Sequence, residues 1–160
     1  VPEDYKILHE IGLKALRVAA AVRAEFGNES VGKIYTAMGA CYHHDEGDID
    51  EPAALEEILQ TCGLPTRLAS AANNESLDKG IQADMDQAIA KAGTDVGVPQ
   101  IVLDGGQGPG FFGPVMSQAP TGEDAVKFWD AIIAAGSMPG FFELKRTREV
   151  EPIFGERQEV

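Results

Sequence analysis

One stretch limits what this chain can fold into: Gly97-Val98-Pro99-Gln100-Ile101-Val102-Leu103-Asp104-Gly105, followed by a glycine-rich turn and Phe111-Phe112-Gly113-Pro114-Val115. Residues before it read as helix, and residues after it read as one helix and a tail. It is therefore the only place where a sheet can be built. Ile101, Val102 and Leu103 are apolar at successive positions, which in a strand means that both faces are covered. A strand of that kind needs neighbours. The run Phe111 to Met116 across the turn supplies one, but a lone two-stranded hairpin is marginal in water. Further strands are expected, either upstream of Val1 or on another molecule.

Charge narrows the partners. Thirteen Lys and Arg against twenty-six Asp and Glu give a net charge of -13, which repels a phosphate backbone, so nucleic acid is not an expected partner. No apolar run approaches the roughly 20 residues that a membrane-spanning helix needs, and no charged and apolar leader follows Val1. Cys41 and Cys62 are the only cysteines. Neither sits in a C-x-x-C pair, so they read as free thiols in a reducing, cytoplasmic setting rather than as a redox dithiol, with a structural disulfide between the two, near the ends of adjacent helices, as the alternative.

Taken in order, Val1-Pro2-Glu3-Asp4 places proline and acids where a first helical turn favours them. Ile7, Leu8, Ile11, Val18 and Val22 continue a helical stripe to about Phe26, and Gly27-Asn28 stops it. A second helix is expected from Ser30 to about Tyr42, with Val31, Ile34, Tyr35 and Met38 facing inward. A loop follows over residues 43 to 50. Asp50-Glu51-Pro52 opens a helix carrying Leu55, Ile58 and Leu59, then a short helix passes through Leu68 and Ala71. A longer one from about Ser76 to Ala92 aligns Leu77, Ile81, Met85, Ala88 and Ile89. After the two strands, Thr121 is a candidate N-cap for a last helix with the stripe Val126, Trp129, Ile132 and Ile133. The final residues read as frayed.

Five helices, then strand, strand and helix, resembles the second half of a thioredoxin fold in its DsbA-like branch, where a helical domain is inserted after the first β-α-β unit. Gly97-Val98-Pro99 resembles that branch's cis-proline loop, and Asp104-Gly105 its following turn. The whole chain is similar to the mycothiol-dependent reductases of the branch, once described as nitroreductases. The similarity is carried by Val1-Pro2-Glu3-Asp4-Tyr5, Tyr35-Thr36-Ala37-Met38-Gly39, Phe111-Phe112-Gly113-Pro114-Val115 and Phe141-Phe142-Glu143-Leu144-Lys145-Arg146-Thr147-Arg148. The resemblance implies an α/β, truncated thioredoxin-like fold. Residues 1–94 would form the helical insertion domain, 95–148 the C-terminal strand-strand-helix half, and 149–160 a tail.

Members of that family carry a C-x-x-C at the start of the first thioredoxin helix, where the helix dipole and backbone N–H groups lower the nucleophilic thiol's pKa. This sequence has none, so no catalytic residue is assigned. The resemblance implies that the absent segment includes the strand that would lie beside Gln100 to Leu103, which is where the doubly apolar strand pointed independently. It also implies a thiol-disulfide oxidoreductase whose partner is a low-molecular-weight thiol or disulfide such as mycothiol. Val98 and Pro99 would bind that substrate, and Tyr5 would line its pocket or anchor the first helix. No cofactor and no metal is implied. The alternative is a non-catalytic binding or assembly protein that pairs through an open sheet edge, as a homodimer or with another chain.

The remaining chemistry-bearing residues have plainer readings. Cys41, His43, His44, Asp45 and Glu46 match no zinc spacing and read as a solvated loop. Gly105 to Gly113 lacks the Lys-Ser/Thr and the helix of a P-loop and reads as a hairpin turn. Glu56-Glu57 reads as a charged helix face. Trp129 is expected in the core, and Lys145, Arg146 and Arg148 on the surface, with a carboxylate or domain contact as their functional reading.

Overall fold

The computed structural model describes residues 3–158 and 160, with side-chain burial from residue 9 onward. The described residues form two compact units, one of residues 3–83 with 156–158 and 160, and one of residues 84–155. No helix among them is long and apolar enough to cross a membrane.

The first unit is helical. Helix α1 spans Glu3–His43 but is broken at Gly27, whose φ of 79° and ψ of 178° are non-helical. A positive φ with that ψ is a conformation glycine alone adopts cheaply. The expected stop at Gly27 is thus a break from which helix resumes at once, without a gap to Ser30. Helix α2, Pro52–Thr61, has proline in its first turn, where the missing N–H costs nothing. A run of 3-10 turns covers Thr66–Asn73 and Glu75–Leu77, and α3, Asp78–Ala92, follows.

The core of this unit is continuous. Val18 and Val22 from the first half of α1, Ile34, Ala37 and Met38 from the second, Leu55, Ile58 and Leu59 from α2, and Leu64, Leu68, Ala69 and Ala72 pack as one cluster. Val18, Val22, Ile34 and Leu59 are 0% exposed, and full burial of such side chains is worth about 1.5–3 kcal/mol each. Tyr35, expected to face inward with Ile34, is instead 78% exposed. Ile34 and Met38, four residues apart, define the buried stripe, and Tyr35 is turned about 100° from Ile34.

Bidentate ion pairs link distant parts of the unit. The guanidinium of Arg17 donates to both carboxylate oxygens of Asp78 at 2.6 and 2.7 Å and to the Ala72 carbonyl at 3.1 Å. Arg67 donates to both oxygens of Glu25 at 3.0 and 2.7 Å. Arg157 donates to Asp45 at 3.0–3.2 Å, so the end of the chain is tied down at this point rather than frayed.

The second unit holds the sheet. Strands β1, Gln100–Val102, and β2, Gly110–Phe112, pair antiparallel with Ile101 opposite Phe111. Strand β2 is shorter than the expected run to Met116, because Gly113 takes a φ of 97° and Pro114 follows it; proline has no N–H for the ladder. The connecting turn is long, with Asp104, Gly105 and Gly106 all at positive φ. Lys91, near the end of α3, donates to the turn carbonyls of Gln107 and Gly108 at 3.1 and 3.4 Å.

Helix α4, Gly122–Gly136, starts at Thr121, whose hydroxyl makes no capping bond. A Cβ on Gly136 would collide with the Phe111 ring, so this helix end lies directly against β2. Of its apolar stripe, Ile132 and Ile133 are partly buried, whereas Val126 is 62% and Trp129 48% exposed. Trp129 is therefore not a core residue. No side chain of α3 or α4 is buried, and Met85, expected on the inner face of α3, is 54% exposed.

Candidate functional site

The candidate site is the entry to β1, and its geometry follows from the strand register. The N–H of Gly113 donates to the Pro99 carbonyl at 2.8 Å, and that of Leu103 to the Pro109 carbonyl at 3.1 Å. With Ile101 opposite Phe111, alternation of the antiparallel ladder makes 99/113, 101/111 and 103/109 the hydrogen-bonded pairs. The backbone N–H and C=O of Gln100 and Val102 therefore point away from β2. Among the described residues, β1 has a neighbour on one edge only.

Val98 and Pro99 sit at the head of that free edge, and both are exposed, Val98 at 83%. The Val98–Pro99 peptide bond is cis, as is Gly113–Pro114 across the ladder. The Phe112 ring lies 3.6 Å from where a Cβ on Gly97 would be, an ordinary packing distance, so the ring sits beside the loop. Tyr5 lies in α1 of the first unit, and its side chain falls outside the described residues.

Gln100 had no place in the sequence-based site. Its Oε1 is buried without a hydrogen-bond partner among the described residues. An unsatisfied buried acceptor costs about 1–3 kcal/mol. The signal was available as a polar side chain at the first position of an otherwise apolar strand.

Neither cysteine has the surroundings of a nucleophile. Cys41 and Cys62 are free and half-buried. Burial pushes both thiols up from the ordinary range, and at Cys41 the carboxylates of Asp45 and Glu57 push further, outweighing the opposing Arg157. Neither thiol is shifted toward the thiolate that a nucleophilic cysteine needs. Cys41 packs against the loop that follows α1, since a Cβ on Gly47 would strike its Sγ.

The loop histidines do not assemble a ligand set. His43 makes an edge contact with Tyr42 at 4.9 Å between ring centroids. Among the described residues no group of three or more His, Cys, Asp or Glu side chains is placed to hold a metal ion. Lys145, Arg146 and Arg148 are exposed along a segment without regular secondary structure that also carries Phe142 at 94% and Leu144 at 91% exposure.

Comparison with known proteins identifies the family. The chain is 27% identical over 138 residues to the uncharacterized protein Rv2286c of Mycobacterium tuberculosis (strain ATCC 25618 / H37Rv), a match covering 86% of this chain and 57% of that protein. The chain thus spans a little over half the length of this curated relative. Residues 1–146 match the family described as Rv2466c-like, mycothiol-dependent nitroreductase Rv2466c. With nearly the whole chain matched, this protein belongs to the Rv2466c-like family.

Proposed function

We propose that this chain is the helical domain and C-terminal half of a DsbA-like thiol-disulfide oxidoreductase that works with mycothiol or a similar low-molecular-weight thiol in the cytoplasm. The reading rests on the family match over residues 1–146. Residues 1–94 are the inserted helical domain, 95–148 the second half of a thioredoxin-like domain, and 149–160 its tail. The nucleophilic C-x-x-C belongs to a segment outside these 160 residues, since neither Cys41 nor Cys62 is activated. A strand of that segment pairs with the outward N–H and C=O groups of Gln100 and Val102.

In this reading Val98 and Pro99 form the floor of the substrate groove. A thiolate of the C-x-x-C attacks a substrate disulfide, the S–S bond breaks, and one substrate thiolate leaves. The second cysteine then displaces the remaining substrate sulfur, so that two protein thiols are oxidised to a disulfide as the substrate gains two thiols.

Supplied alone, the 160-residue chain is expected to show no turnover in insulin reduction or a mycothiol-linked assay. Turnover that survives Cys41→Ser would overturn the assignment of the nucleophile to another segment.

One observation favours a second reading. The free edge of β1 suits strand addition by a partner chain, including a second copy, with no redox chemistry. Val102→Pro separates the two. It removes an N–H that faces away from β2, so the hairpin is retained. In a form carrying the C-x-x-C segment, the oxidoreductase reading expects this variant to lose activity. The assembly reading expects it to lose only oligomerisation, seen by analytical ultracentrifugation.

A further inference from the structure

We draw no further inference here: the strongest candidate, the exposed apolar side chains of the second unit, Val126 and Trp129 on α4 and Phe142 and Leu144 on the segment after it, carries nothing because nothing in the structure shows what covers them.

Discussion

Helix α2 in the first unit and helix α4 in the second carry apolar stripes of similar regularity, Leu55, Ile58 and Leu59 against Val126, Trp129, Ile132 and Ile133. On α2 those residues are 1%, 5% and 0% exposed, whereas on α4 Val126 and Trp129 are 62% and 48% exposed. The difference lies in the neighbours. Helix α2 faces the two halves of α1 and the 3-10 run after it, while α4 meets β2 at its last turn. An amphipathic stripe states which face of a helix requires cover, and it does not supply the cover.

Substitutions in the two units should therefore differ sharply in cost. Leu59→Ala empties a fully buried site and is expected to destabilise the first unit by about 3 kcal/mol, read as a shift of the urea midpoint followed by helical circular dichroism. A change below about 1 kcal/mol would mean that this core is loosely packed.

Gly110→Ala probes the second unit where it is tight. A Cβ there would lie 2.9 and 3.0 Å from the backbone C and O of Lys91. That backbone cannot yield without moving the end of α3, so a loss of about 1–3 kcal/mol is expected, localised by hydrogen exchange to residues 84–155. An unaltered exchange pattern would remove the inferred contact between α3 and β2.

Acid should act on the first unit through its ion pairs. Hydrogen bonds from Arg17 hold the Asp78 carboxyl below its usual range, those from Arg67 do the same for Glu25, and those from Arg157 for Asp45. Their stabilisation is fully present above the unfolded carboxylate values near 4 and is lost as pH falls through the lower folded values. Asp78→Asn should flatten part of this acid limb, with the gap between variant and parent closing as pH drops. A gap that widens on acidification would contradict the assigned direction.

Trp129→Ala should cost least, less than about 1 kcal/mol, for a half-exposed side chain. A loss of several kcal/mol would show that α4 is covered in solution and would erase the contrast between the units.

Much of the first unit was legible in the sequence. Gly27 and Pro52 mark backbone demands that are local, and the spacing of Val18 and Val22, or of Leu55, Ile58 and Leu59, selects a face wherever partners exist. Tyr35 was misplaced because one residue of rotation separates the edge of a stripe from solvent. Arg157 bonding to Asp45 was invisible, since 112 residues separate the partners and no periodicity links them. The hairpin was legible in its centre but not its extent, because Gly113 and Pro114 end β2 through backbone geometry while Val115 and Met116 remain apolar. At the site, Gly97-Val98-Pro99 stood out by resemblance, whereas the orphaned Gln100 carbonyl needed the register and the burial to be seen.

Residue-resolved amide exchange on the 160-residue chain tests most directly the claim that the second unit has an unfilled sheet edge. Leu59 should exchange slowest, Ile101 and Phe111 should show the modest protection of a hairpin ladder, and Gln100 and Val102 should exchange freely. Protection of Gln100 and Val102 equal to that of Leu59 would mean that the outer edge of β1 is already paired, and would contradict the account.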